Sequence, residues 1–298
     1  MYDCIIIGAG ISGMTAAIYL KRAGKKVLVL EKETIGGQIS SSLMVSNYPG
    51  FVSISGPELI SNIYDQLVNL DIPLEIEEVK SITTDKIKKV VTDYNTYETK
   101  TIIISTGARY RLLKLPNEEN LIGNGIHFCV ACDGAFYKEK DVAVVGGGNT
   151  ALVNALSLSD ICKTVYIIQN LEQLTGEIAL QEKIKEKDNI VVLTSSIVKK
   201  INGEGSLESV IIENEKIEEE LKLDGMFISI GLVPQNEIFK DIIKLDENNY
   251  IDSNDCNTNV EGIFTAGDCR TKKFRQLTTA SGDGTIAALL AIDYLNNN

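Results

Sequence analysis

The chain has 298 residues, about twice the usual domain length, so two domains with separate cores are expected. Hydrophobic residues make up 44% and charged residues 23%, ordinary for a globular protein, and no stretch approaches the roughly 18 apolar residues that a membrane span needs. A formal net charge of -12 argues against nucleic acid as a general partner, because phosphate binding depends on basic surface.

The N-terminus, Met1-Tyr2-Asp3-Cys4-Ile5-Ile6-Ile7-Gly8, has no basic leader and runs straight into a glycine turn, which reads as a structural strand of a cytoplasmic protein. The turn Gly8-Ala9-Gly10-Ile11-Ser12-Gly13 is followed by a helical pattern from Met14 to Arg22 and a second strand from Val27 to Leu30. In such a βαβ unit the first glycine allows the tight turn, the second lets a pyrophosphate approach the backbone, and the third lets helix and strand pack closely. Glu31 ends the second strand 18 positions after Gly13, close to where a carboxylate binds a ribose hydroxyl. Short β-patterned runs from Val79 to Ile104 end in Ser105-Thr106-Gly107, and Pro116 marks a crossing near residues 111 to 116.

The pattern then repeats. Asp141 to Val145 leads into Gly146-Gly147-Gly148-Asn149-Thr150-Ala151, with a helix from Leu152 to Leu158 and a strand from Val165 to Ile168. β-patterned runs from Val191 to Ile230 end at Gly231, and a second proline-marked crossing covers residues 231 to 236. A last helical pattern runs from about Thr285 to Leu295. The expected fold is α/β, with two Rossmann-like dinucleotide-binding domains. One spans residues 1–112 and 238–298, and a smaller one, residues 113–237, is inserted into it through a two-stranded linker.

Of six cysteines, only Cys129 and Cys132 form a close pair, with CxxC spacing. Such a pair can close a disulfide, and neighbouring groups can keep one sulfur as a thiolate at neutral pH. Half of a zinc site or an inert core pair are the alternatives. Zinc needs two further ligands, while the chain has one histidine, His127, and no second CxxC. His127, on an approaching strand, is either structural or a group that tunes Cys129. Cys4 and Cys162 lie beside apolar runs and read as small buried hydrophobes, and Cys256 and Cys269 sit in turn-like sequence.

Together with Gly36-Gly37-Gln38, Asn47-Tyr48-Pro49-Gly50, Cys129-Val130-Ala131-Cys132-Asp133-Gly134, Thr265-Ala266-Gly267-Asp268 and Phe274-Arg275-Gln276, these motifs make the chain resemble the low-molecular-weight thioredoxin reductases along its whole length. The resemblance implies a homodimeric flavoprotein that holds FAD in its first domain and reduces thioredoxin. Gly8, Gly10 and Gly13 would take the pyrophosphate and Glu31 the adenosine ribose, with Ile11, Ser12 and Lys32 as further cofactor-binding positions. Gly37, Gln38 and Asn47 would line the flavin side, Thr106 and Gly107 would also bind the cofactor, and Val79 matches a position that meets adenine through its backbone. Asp268 would bind the ribityl chain, with Gly267 beside it as a further cofactor-binding position and Arg275, Gln276 and Leu277 closing over the isoalloxazine. Cys132 would face the flavin, Cys129 would attack the partner disulfide, and Asp133 would manage protons. The positive end of the last helix would favour the reduced flavin.

One segment departs from that pattern. The two glycine motifs are offset by 138 residues without a gap, which sets Gln169 where Glu31 stands in the first copy. NADPH-using relatives carry a His-Arg-Arg run here, whereas this chain reads Gln169-Asn170-Leu171-Glu172-Gln173-Leu174-Thr175, with no cation before Lys183. The closer resemblance is to the ferredoxin-dependent flavin thioredoxin reductases. An NAD(P)H-dependent thioredoxin reductase, a flavin dithiol oxidase working toward oxygen and a non-catalytic flavin module are the competing readings. An acidic ferredoxin would need a local basic face. Arg270, Lys272, Lys273 and Arg275 offer one, with Lys272 and Lys273 expected to be exposed, and Arg109, Arg111 and Lys114 offer another.

Overall fold

The computed structural model describes residues 1–42 and 44–298. Its first strand, Tyr2–Ile7, pairs in parallel with Val27–Glu31 on one side and Thr96–Ile104 on the other. Successive side chains point to opposite faces, and both faces of this strand are covered from Cys4 onward, which is why Cys4 to Ile7 reads as an unbroken apolar run. Ile6 and Val29 face a cluster with Met14, Ala17 and Ala287 from two helices, while Ile5, Ile7 and Leu28 face Val90, Phe239 and Ile251. The sheet continues outward through Leu74–Ile76 at one side and through Lys88–Thr92 and Val79–Ile82 at the other, and Ile263–Thr265 also pairs with Thr96–Ile104.

The chain divides into two units, Met1–Arg109 with Val233–Asn298, and Tyr110–Leu232. The crossings thus fall three to five residues before the points read from the proline-marked segments. The strands Ala108–Tyr110 and Leu232–Pro234 pair with each other at these crossings. In the second unit, Ile190–Leu193, Thr164–Ile168, Asp141–Val145, Gly225–Ile228 and Ile126–His127 form a parallel sheet in that order. The helix Asn149–Ser159 packs on it, and an antiparallel sheet of Ser196–Asn202, Ser209–Asn214 and Ile217–Lys222 accompanies it. No helix among the described residues is long and apolar enough to cross a membrane.

Helix starts differ most from the sequence reading. The first helix is Ile11–Arg22 and the last is Leu277–Asn297, eight residues earlier than the periodicity suggests. The added stretch, Leu-Thr-Thr-Ala-Ser-Gly-Asp-Gly, has poor intrinsic helix propensity. Packing outweighs it. The two helices cross closely, so that a Cβ on Gly284 would lie 2.2 Å from the Ser12 carbonyl oxygen, and Thr15 meets Ser281 at 3.2 Å. Gln276 and Thr279 also form a reciprocal capping box at the helix entry.

Candidate active site

The first glycine turn is built by steric necessity. Gly8 has φ +107°, and a Cβ there would sit 2.4 Å from the Ser105 carbonyl oxygen. A Cβ on Gly13 would lie 2.0 Å from the Gly8 carbonyl oxygen, so only glycine lets the first helix approach its strand this closely. Gly10 differs, since a Cβ there would meet nothing within 4 Å. Its open side faces a cleft of about 410 Å³ whose wall includes Gly8, Gly10, Glu31, Gln38, Thr106 and Asp268. The Glu31 carboxylate fastens the turn, with Oε2 accepting from the Ala9 N–H at 2.8 Å and Oε1 from the Glu33 N–H at 3.0 Å.

Among the other expected cofactor residues, Ile11, Ser12, Lys32 and Gly37 line the cleft, as do Gly107, Gln276 and Leu277. Gly13 and Gly267 pack behind it, and a Cβ on Gly267 would come within 2.5 Å of Ser12 Oγ. Val79 is buried in the sheet opposite Thr92, and Asn47 is exposed; neither lines the cleft. Nor does Arg275, whose guanidinium lies 4.1 Å from the Tyr250 ring centroid and donates to the Asp268 and Arg270 carbonyls.

Asp268 carries an acceptor with nothing to accept. Its Oδ1 is buried without a hydrogen-bond partner, and Lys272 Nζ stands 3.8 Å away. Burial pushes this carboxyl above the ordinary range, and the opposing pull of Lys272 and Arg275 does not offset it. Lys272 also corrects the sequence reading. Its side chain is only 8% exposed and pairs with Asp283 at 2.9 Å, so it is not a free surface cation. Asp283, on the last helix, also accepts from Arg270 Nε at 3.2 Å and the Gly267 N–H at 3.1 Å. Reversing the charge of Lys272 would gather three acids there. Lys273 is the exposed member of the run, its Nζ 5.3 Å from the ring centroid of Phe274, which is itself 66% exposed. In the other basic group, Arg109 is ion-paired with Glu33.

In the second unit Cys129 and Cys132 are joined in a disulfide, with Cα atoms 5.2 Å apart. Cys129 stands just before the short helix Val130–Asp133, and its carbonyl accepts from the Cys132 and Asp133 N–H groups at 3.1 and 3.0 Å. Cys129, Cys132 and Asp133 are each half-buried along this turn. Beneath it, His127 Nδ1 lies 3.3 Å from Asp133 Oδ2, and His127 Nε2 lies 2.6 Å from the Tyr137 hydroxyl. The other four cysteines are buried and free, and burial pushes the thiols of Cys4 and Cys256 up to about 12 and that of Cys162 to about 11. Cys269 is raised for the same reason. Only the CxxC pair is placed for thiolate chemistry.

The sequence profile of the pyridine nucleotide-disulphide oxidoreductases matches residues 2–284. The chain belongs to that family. It is 39% identical to a thioredoxin reductase of Bacillus subtilis, over 97% of this chain and 93% of the relative. It is 42% identical to a "34.2 kDa protein in rubredoxin operon" of Clostridium pasteurianum, over 98% and 97%. The crystal structure of a thioredoxin reductase from Streptococcus pyogenes superposes with a TM-score of 0.95 at 38% identity, covering 100% of this chain and 99% of that one.

The protein is therefore an FAD-dependent disulfide oxidoreductase, and the cleft of the first unit fits that cofactor. Gly10 leaves room against the backbone for a pyrophosphate, the adjoining helix start favours its charge, and Asp268 Oδ1 offers an unused acceptor for a polyol hydroxyl. The second glycine turn is lined differently. Gln169 is 4% exposed and lies against Gly147, where a Cβ would come within 2.6 Å of its Nε2, and that Nε2 donates to the Gln173 carbonyl at 3.2 Å. The Gly147 carbonyl accepts from the Thr175 and Gly176 N–H groups at 2.8 and 2.9 Å, so residues 173–176 fold back onto the turn. The position that the register of the two glycine turns sets against Glu31 is thus occupied by an amide whose Nε2 donates to its own loop.

Proposed function

We propose that this family member reduces the disulfide of thioredoxin with electrons from a reduced ferredoxin, which pass through FAD and the Cys129–Cys132 pair. The observation that carries the donor assignment is the inward-turned Gln169, followed by a segment with no cation as far as Lys183. An adenosine 2′-phosphate would meet the exposed Glu172 there and no guanidinium. One relative is described by its place in a rubredoxin operon, which sets a one-electron carrier beside a protein of this kind. Bound FAD supplies the conversion between single electrons and the pair that a disulfide requires.

The chain's own residues account for the rest. Two electrons and two protons open Cys129–Cys132 to thiols. The Cys129 thiolate attacks one sulfur of the thioredoxin disulfide, whose other sulfur leaves as a thiol with a proton delivered through Asp133. Cys132 then attacks Cys129, releasing the second thioredoxin thiol and restoring the disulfide. The resemblance to thioredoxin reductases extends this reading to a cytoplasmic homodimer. Lys273 and Phe274 are the surface residues beside the cleft that suit an acidic carrier.

A pyridine nucleotide donor is the second reading, favoured by the family's name and by the intact turn Gly146 to Ala151. Anaerobic stopped-flow mixing separates the two. Reduced ferredoxin is expected to bleach the oxidised flavin, while millimolar NADPH or NADH leaves it oxidised on the timescale of turnover. Rapid bleaching by either nucleotide would replace the ferredoxin assignment with the second reading.

A further inference from the structure

We infer that Asp283 is a positioning residue for the flavin cofactor: by holding the Lys272 ammonium, it keeps the Asp268 carboxylate free to accept a hydrogen bond from the cofactor's polyol. The inference rests on the reading of Asp268 as the group that meets that polyol. Asp283 stands in the second turn of the last helix, Leu277–Asn297, whose start lines the cleft through Leu277 and Ala280. Its carboxylate is buried and well supplied with donors. Oδ2 accepts from Lys272 Nζ at 2.9 Å, from the Gly267 N–H at 3.1 Å and from Arg270 Nε at 3.2 Å, and Oδ1 accepts from Arg270 Nη2 at 3.4 Å.

Asp268 lies inside the segment that this carboxylate ties down. Its neighbour Gly267 is fixed twice: its N–H donates to Asp283, and it packs so closely on the first helix that a Cβ would come within 2.5 Å of Ser12 Oγ. Lys272, four residues on, faces two carboxylates. Its Nζ is in hydrogen-bond contact with Asp283 but stands 3.8 Å from Asp268 Oδ1, which accepts no hydrogen bond. At that distance the ammonium balances the charge of Asp268 without using its acceptor. The two nearby guanidinium groups do not use it either. Arg275 donates to the Asp268 and Arg270 carbonyls and lies against the Tyr250 ring, and Arg270 is engaged with Asp283, the Ser253 hydroxyl and the Thr271 carbonyl.

The two carboxylates therefore compete for one lysine, and Asp283 holds it. Without the Asp283 charge, the buried ammonium keeps a single carboxylate partner, so Lys272 closes the 3.8 Å gap to Asp268 and fills the acceptor. Burial sharpens the contest. It already pushes the Asp268 carboxyl above its ordinary range, and a buried ammonium left without a carboxylate is costly too.

FAD affinity is the readout, and it needs no turnover. Each variant is purified as holoprotein and diluted serially, and the FAD released is measured after ultrafiltration. Asp283→Asn should raise the FAD dissociation constant about tenfold to a hundredfold, the size of one hydrogen bond to a charged group. Lys272→Met alone should leave it near the wild-type value. Adding Lys272→Met to Asp283→Asn should bring affinity back, because no cation remains to occupy Asp268; a carboxylate that only braced the turn would give no such rescue. An Asp283→Asn protein that binds FAD like wild type, or a double variant that binds no better than Asp283→Asn, would overturn the inference. If Asp283→Asn does not fold, Lys272→Arg asks the same question with Asp283 intact. Its longer guanidinium, with five donors, can reach both carboxylates, so FAD binding should weaken by a similar factor, and unchanged binding would overturn the inference. Asp268→Ala separates the two levels. If it leaves FAD affinity unchanged, the reading of Asp268 fails and the inference with it; if it weakens FAD binding while Asp283→Asn does not, the inference alone fails.

Discussion

Cys129→Ser is expected to leave FAD bound and to lower thioredoxin reduction by a factor on the order of 10^4 or more, as removal of a nucleophile does elsewhere. No other thiol can substitute, because Cys4, Cys162, Cys256 and Cys269 are buried, with their thiols pushed up by that burial. Cys132→Ser should behave differently. Cys129 can still attack, but nothing resolves the product, so the variant should accumulate a mixed disulfide with thioredoxin. Mass spectrometry of the unreduced conjugate would show one thioredoxin per chain, linked at Cys129. Trapping by the Cys129→Ser variant instead would reverse the two roles.

The second large effect separates holding FAD from building the fold. Gly10 and Gly13 belong to one motif but face opposite ways. A side chain at Gly13 collides with the Gly8 carbonyl at 2.0 Å, and backbone cannot yield as a flexible side chain would. Gly13→Val should therefore destabilise the folded apoprotein by ~3 kcal/mol or more, seen as a lower denaturant midpoint. Gly10 has φ -73° and an open side, so valine fits the protein but fills the place of the pyrophosphate. Gly10→Val should keep a near-wild-type apoprotein midpoint and weaken FAD binding at least about tenfold, ~1.4 kcal/mol. If both variants lose stability alike, Gly10 is a structural glycine and the cleft does not approach it.

Much of this was legible because the signals are local. The strand Tyr2–Ile7, the glycine turn and Glu31 lie within one βαβ unit, and the CxxC pair within one turn of helix, where spacing alone determines proximity. What sequence could not show depends on partners far along the chain. Lys272 reads as part of an exposed basic run until Asp283, on a helix whose first two turns lack helical propensity, comes within 2.9 Å of it. Arg275 likewise turns to Tyr250, 25 positions earlier, and not to the cleft. His127 was visible as a lone histidine, but its contact with Tyr137 depends on the turn that returns that ring to it and on the glycine at 225 that admits the ring. Gln169 was found by register, and the structure adds that its amide is used internally.

The route proposed above runs from FAD through Cys129 and Cys132 to the thioredoxin disulfide, whatever loads the flavin. It is tested most directly by one anaerobic turnover. Holoenzyme is photoreduced without ferredoxin or nucleotide, mixed with oxidised thioredoxin, and followed by flavin absorbance while thioredoxin thiols are counted. The oxidised flavin spectrum is expected to return as thioredoxin thiols appear, two for each electron pair the flavin loses. A flavin that stays reduced beside oxidised thioredoxin, and recovers only when oxygen is admitted, would contradict it.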